Sequence, residues 1–317
     1  MRRRAVLAGG LALAACRRRE RRVIAVIPKS TAHVFWLSVE AGAREAGREY
    51  GVDIDWSGPP AETEYSRQIQ IVDSYVARRV DGIVLAACER KALVAAVDRA
   101  AAAGIPVTVF DSGLDSDRYM TFVATDNVEA GRLGARTLGK LLNGRGKVGV
   151  VQHAPGSFST MDRENGFEEV MKKDFPGIRI MGRQYGMADR AKAMAAAENM
   201  MTAFPDLDGF FTSTEPSASG TAQAVKARGA AGKIRLVAFD FSDNLIEDTR
   251  AGVIDAMVVQ DPFRMGFKAV QTVVDKLNGG TPPKRIDLPA RVVTRLDLDK
   301  PEIRRLLFPD WKKGAKP

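Results

Sequence analysis

The sequence predicts an α/β protein of two similar lobes, each built on a parallel sheet, and three observations carry that expectation. The runs Ile105-Pro-Val-Thr-Val-Phe-Asp111 and Ile234-Arg-Leu-Val-Ala-Phe-Asp240 both finish on Phe-Asp, and each follows a segment rich in alanine and glycine. Short β-branched runs alternate with helical patterns along the chain, which is how strands buried on both faces read in a parallel α/β sheet. With 317 residues the chain can form two domains and bury substantial cores. Ligands of open parallel sheets bind beyond the carboxyl ends of the strands. Either aspartate alone reads as a turn residue; two in matching places of two halves point to a shared ligand in a crevice.

Element by element, residues 23–27 form the first strand, stopped by Pro28. Residues 36–50 have helical spacing, with Leu37, Val39, Ala43 and Ala46 apolar and Gly51 as the stop. A strand at 52–56, a Gly58-Pro-Pro60 turn, a helix at 66–79, a strand at 82–87, a helix at 91–103 and the strand ending in Asp111 follow. Right-handed crossovers turn this order into an open parallel sheet. The second half repeats it: helix 130–142, turn 143–146, strand 147–152, helix 163–174, extended 178–185, helix 188–204, strand 209–212 and helix 217–228. The strand to Asp240, a helix at 244–251 and a strand at 254–259 complete it. The helix at 264–278 has no second-half strand to feed, so it is expected to return to the first lobe; residues 284–294 are extended.

The formal net charge of +9 invites a nucleic-acid reading, but its location argues against one. Setting aside Arg2, Arg3, Arg4, Arg17, Arg18, Arg19, Arg21, Arg22 and Glu20 leaves 40 basic and 38 acidic residues of the original 48 and 39. The arginines at 2–4 precede an apolar stretch at 5–15, too short to span a membrane, that ends Leu13-Ala-Ala-Cys16. This ending resembles the lipobox of bacterial lipoproteins, which implies cleavage before Cys16 and lipid on its sulfur. Cys88 then has no disulfide partner and reads as a small buried hydrophobe. The two histidines, His33 and His153, exclude a histidine-rich metal site, and no metal or cofactor is expected. Asn143-Gly-Arg-Gly146 precedes a strand and is a turn, not a dinucleotide fingerprint.

The loop from Pro28 to Trp36 lies at the carboxyl end of the first strand and offers Lys29, two hydroxyls, His33 and the aromatic pair Phe35-Trp36. Aromatic faces suit the C–H face of a sugar ring, while hydroxyls and charges address its rim. One of the two aromatics is expected to pack into the core, with Trp36 the better exposed.

From about residue 23 to 294 the chain resembles type I periplasmic sugar-binding proteins of the ribose/galactose kind. Phe35-Trp36, Asp111, Thr125-Asp126-Asn127, the Arg163-Glu-Asn-Gly-Phe167 helix, Asp240 and Gln260 carry the resemblance by their order and spacing. It implies two Rossmann-like lobes with parallel sheets, joined by three crossings near Thr125-Asp126, Gln260-Asp261 and residues 288–292. The first lobe is then 23–125 plus 262–288 and the second 126–261 plus 289–310, behind a signal and basic tether at 1–22. It further implies that Asp111, Asp240 and Gln260 bond sugar hydroxyls and that the aromatics stack on the ring.

Departures from the family pattern bear on the ligand. Ser112 and Met161 stand where ribose binders carry arginine, and Thr214 where they carry asparagine, while Lys29 and His33 replace small polar groups. Together with Glu215 and Arg163 these imply a different polyol, or one with an acidic or amino substituent. Glu215 reads equally as a helix N-terminal residue, and Arg163 as a structural partner of a second-lobe carboxylate.

The expected function is the solute-binding component of a sugar ABC importer. It would be a monomeric lipoprotein, membrane-anchored in the periplasm or at the cell surface, closing on a monosaccharide or polyol and docking on the permease, with no nucleic-acid partner. The alternative is a sensory protein that reads a sugar or signalling furanose for a membrane kinase. A repressor sharing these lobes would need a helix-turn-helix before the first core strand, and a glycosidase would use Asp111 and Asp240 as acid and base.

Overall fold

In the computed structural model, which describes residues 21–308, the first half runs β1 (Val23–Ile27), α1 (Val34–Tyr50), β2 (Asp53–Trp56), α2 (Tyr65–Arg78), β3 (Gly82–Leu85), α3 (Val94–Ala102), β4 (Val107–Phe110) and β5 (Thr121–Thr125). The second half runs α4 (Asn127–Leu141), β6 (Arg145–Gln152), α5 (Phe158–Asp174), β7 (Gly177–Tyr185), α6 (Arg190–Ala203), β8 (Gly209–Thr212), α7 (Glu215–Ala227), β9 (Arg235–Phe239), α8 (Asp243–Arg250) and β10 (Ala256–Val259). It closes with α9 (Pro262–Leu277), β11 (Arg285–Leu288), β12 (Arg291–Thr294) and α10 (Pro301–Leu307).

The two sheets have the same layout. One orders its strands β2-β1-β3-β4-β5-β11 and the other β7-β6-β8-β9-β10-β12. All pairings are parallel except β10 with β12. The central strands β3, β4, β8 and β10 are buried at every position, as strands covered on both faces should be. The chain passes between the sheets three times, after Thr125, after Val259 and after Leu288. The expected extended segment at 284–294 is in fact two strands, because Pro289-Ala290 breaks it and sends its halves to different sheets.

Each lobe clamps one helix pair at reciprocal glycines. A Cβ on Gly42 of α1 would sit 1.9 Å from the Phe263 carbonyl of α9, and one on Gly266 of α9 would sit 2.1 Å from that of Val39. A Cβ on Gly131 of α4 would meet the Arg163 carbonyl of α5 at 1.9 Å, and one on Gly166 of α5 would meet that of Val128 at 2.1 Å. Helix 264–278 thus returns to the first lobe, with its backbone against α1.

Three elements depart from expectation, one being α10, which lies beyond the last segment assigned from sequence. β5 follows β4 through a loop instead of a helix, so the alternation that flags a strand is missing there; its five residues are nevertheless all buried. Helix α5 begins at Phe158, five residues before the expected start at 163. Ser159 and Thr160 are weak helix formers, but both are buried, and packing overrides propensity. The earlier start puts Ser159, Thr160 and Arg163 on one face, three and four residues apart.

Candidate functional site

Asp111 and Asp240 occupy the same position in the two lobes. Both adopt a left-handed backbone, φ 54° and 65°, and each N–H donates to a valine carbonyl of the next strand, Val123 and Val258, at 2.9 Å. Few residues other than glycine tolerate that region, and aspartate is among the better ones. The turn lifts each carboxylate off the end of its strand and towards the space between the sheets.

In the closed form that space is a narrow cleft pocket, partly open to solvent. Lys29, His33, Phe35, Trp36 and Asp111 line it from the first lobe, Arg163, Thr214, Glu215 and Asp240 from the second, and Gln260 from a crossing. The ten residues singled out in sequence therefore converge on one cavity. Glu62, Ser159, Thr160 and Pro216 also line it. Counting back three and four residues from Arg163 along its helix would have found the hydroxyls. Glu62 sits on the loop after β2, beyond a Gly-Pro-Pro turn that reads only as punctuation; no local pattern marks it.

Trp36 corrects the sequence reading. It is 2 % exposed, packed edge-on against Phe35 and Phe110 with centroids 4.9 and 6.1 Å away, and its Nε1–H donates to Glu62 Oε1 at 2.9 Å. Phe35, one position earlier on α1, is the half-buried ring of the pair.

The charged side chains in the cavity are largely matched within the protein. Lys29 Nζ donates to Ser157 Oγ at 2.9 Å and lies 3.1 Å from Glu62 Oε2. Arg163 donates to Asn127 Oδ1 at 2.8 Å and the Ser213 carbonyl at 3.0 Å. Its guanidinium lies over the Phe239 ring at 4.0 Å and is 4.0 Å from Asp240 Oδ2. Glu215 accepts from Arg190 at 3.0 and 3.1 Å and from Ser219 at 2.7 Å, and its N–H donates to Asp240 Oδ2 at 3.2 Å. Asp240 Oδ1 accepts from Gln260 Nε2 at 2.6 Å, and Gln260 Oε1 accepts from Thr125 Oγ1 at 2.6 Å. This chain of bonds crosses the hinge from one strand end to the other.

Asp111 differs. It is 4 % exposed, yet among the described residues its carboxylate accepts no hydrogen bond. Burial pushes it up to about 6, against the opposing pull of Lys29 and Arg163. Asp240 is also raised by burial, with Arg163 and Gln260 holding it back. Among the described residues, the cavity is therefore faced by a carboxylate that accepts no hydrogen bond from the protein.

The lobes are closed on each other. Besides Lys29 to Ser157, the Arg90 N–H donates to the Gly156 carbonyl at 2.9 Å, and His153 Nε2 lies 3.1 Å from Glu62 Oε2. The Ser159 N–H reaches Ser112 Oγ at 3.4 Å, so Ser112 bridges the lobes instead of lining the cavity, and Met161 is not part of the lining either. Cys88 is buried beneath Lys29, its thiol donating to that residue's carbonyl at 3.3 Å and pushed up by burial. Cys16 lies outside the described residues.

A family model described as a periplasmic binding protein domain matches residues 24–281. The D-ribose/D-allose-binding protein of Pseudomonas aeruginosa is 30% identical over 283 residues, covering 86% of this chain and 88% of its own length. A carbohydrate transporter solute-binding protein of Agrobacterium radiobacter, solved in complex with D-arabinose, superposes with a TM-score of 0.89 at 31% identity, over 91% of this chain and 99% of that one. An ABC transporter solute-binding protein of Agrobacterium vitis with bound D-fucose gives 0.87 at 36% identity, over 90% and 100%. Matched lobes, a closed cleft between strand ends and similarity over nearly the whole described chain converge: this chain belongs to the periplasmic binding protein domain family.

Proposed function

We propose that this protein is the solute-binding component of a sugar ABC importer and that it closes on one neutral monosaccharide or polyol between Asp111 and Asp240. The observation that carries this reading is the Asp111 carboxylate, buried and unbonded in a cavity shared by both lobes. A hydroxyl-rich ring supplies the donors it lacks, and Phe35 offers an apolar face to the ring. Because Lys29, Arg163 and Glu215 already have partners, the ligand needs no acidic or amino substituent to balance them, and an acidic one would be desolvated beside Asp111 without a counter-ion.

Ligand binding shifts the lobes only by its preference for the closed form, and a hinge of three short crossings is a common device for such closure. Micromolar affinity requires about −8 kcal/mol, within reach of several hydroxyl bonds and one stacked ring. The closed form would dock as a monomer on the permease.

The test is titration calorimetry of the purified protein with D-ribose, D-allose, D-arabinose, D-fucose and D-tagatose, alongside D-glucuronate and D-glucosamine. One-to-one binding of at least one neutral sugar is the expected result. Failure of all seven, or binding of a charged one alone, would overturn the reading.

The anchoring is proposed on the Leu13-Ala-Ala-Cys16 ending, which suits cleavage and lipidation at Cys16. Two acyl groups are needed for stable membrane residence, so Cys16→Ser is expected to move the protein from the membrane fraction to the soluble one. Unchanged fractionation would contradict the anchor.

A further inference from the structure

We infer that Glu62 is a positioning residue that latches the closed cleft, and that its contact with His153 makes closure, and with it sugar affinity, depend on protons. The inference rests on the sugar-binding reading above. Glu62 comes from the loop after β2 in the first lobe, and His153 from the loop after β6 in the second. Glu62 Oε1 accepts from the Trp36 indole at 2.9 Å, while Oε2 faces Lys29 Nζ and His153 Nε2, each at 3.1 Å. One carboxylate therefore fixes a ring and an ammonium of the cavity wall and reaches across to the other lobe. Its side chain is 9 % exposed and those of Lys29 and His153 are 2 % exposed. Among the described residues it is the hydrogen-bonded contact between the lobes in which both side chains are ionisable; the others run through serines, backbone groups or Thr125–Gln260.

The protons follow from what surrounds the pair. Glu62 is faced by Lys29 and His33 from the loop before α1, by Asp111 at the end of β4, and by His153. Burial alone would raise it, but Lys29 and His153 outweigh burial and hold the carboxyl well below its ordinary value. His153 is lowered, chiefly by burial and next by the Lys29 ammonium, with Arg163 adding to it and Glu62 opposing. Its Nδ1 lies 3.4 Å from Thr214 Oγ1, and a neutral ring with a proton on Nε2 donates to Glu62. When the cleft opens, the imidazole returns to water and titrates near 6.5. Closing at lower pH then requires it to release a proton. Affinity is accordingly full above about pH 7 and falls by up to about tenfold per pH unit below 6.5.

Asp111 acts with the opposite sign, since its raised carboxyl takes up a proton on closing between about pH 4 and 6. His153 is not part of the cavity lining, so its replacement isolates the latch while Asp111 and the sugar contacts stay in place. The experiment measures the dissociation constant from pH 8 to 5.5 with D-fucose, or with whichever of the five neutral sugars binds most tightly. The wild type is compared with His153→Gln and Glu62→Gln. The wild type should lose between about threefold and tenfold more affinity than His153→Gln between pH 7 and 5.5. Glu62→Gln should bind at least about tenfold more weakly at pH 7.5, since it gives up a charge-assisted contact across the lobes. Parallel pH curves for the wild type and His153→Gln, or unchanged affinity in Glu62→Gln, would overturn the latch and leave the sugar reading standing. No binding by the wild type at pH 7.5 removes both.

Discussion

Asp111→Asn is expected to weaken sugar binding by about 10²- to 10⁴-fold while making the sugar-free protein more stable. Each hydrogen bond to a charged acceptor is worth about 1.5–3 kcal/mol, and a carboxylate facing a sugar rim accepts at least two of them. The amide keeps the shape, and asparagine tolerates the left-handed backbone that position requires, φ 54°, so the turn survives. What disappears is a charge buried without a hydrogen bond. The carboxyl titrates near 3.8 in the unfolded chain and is pushed to about 6 in the folded one. Below about pH 4 both states hold the proton and the group is neutral to stability. As pH rises through 6 the closed form must carry the buried charge or open to solvate it, so stability falls by at most about 3 kcal/mol, and by less to the extent that the sugar-free cleft opens. The advantage of Asp111→Asn in urea unfolding should therefore be absent near pH 4, grow to pH 6 and level off above it. Loss of both binding and stability at pH 7.5 would mean that Asp111 supports the fold and does not await a ligand.

Gly131→Ala should be the most damaging small substitution in the second lobe. Its Cβ would lie 1.9 Å from the Arg163 carbonyl oxygen, 2.7 Å from its carbon and 2.9 Å from its Cα, all backbone atoms that no side-chain rotation can clear. Relief requires α4 and α5 to separate. Overpacking of this kind costs about 3 kcal/mol or more when backbone must move. Because α5 presents Ser159, Thr160 and Arg163 to the cavity, the displacement should also reduce sugar affinity by at least about tenfold, since sites held to within a fraction of an ångström tolerate little drift. Denaturant unfolding and calorimetry on the same variant measure both effects. A change under about 1 kcal/mol in stability would contradict the clamp.

Much of this architecture is legible in the chain because its signals are local. Phe110-Asp111 and Phe239-Asp240 mark two strand ends whose identical turns the structure reproduces down to the valine carbonyl each aspartate engages. The helix at 264–278 is a helix by its own periodicity, and its return to the first lobe follows from having no strand left to serve. What escaped the sequence depends on contacts between distant residues. β5 lacks a preceding helix. The first turn of α5 forms against propensity because Ser159 and Thr160 are buried in the closed cleft. Trp36 looks like a stacking surface until its indole is seen bonded to Glu62, and Glu62 itself sits in a turn whose composition predicts only a turn. The charges of Lys29, Arg163 and Glu215 suggest a charged ligand when read singly. They suggest a neutral one once their partners, Glu62, Asp240 and Arg190, are known.

A crystal structure of the protein grown with the tightest-binding neutral sugar would locate the ligand relative to Asp111. One sugar ring should lie between the lobes, its hydroxyls within hydrogen-bond distance of Asp111, Asp240 and Arg163, with a face against Phe35. A sugar bound elsewhere, or a ring in the cleft that leaves Asp111 without a donor, would contradict the proposed site.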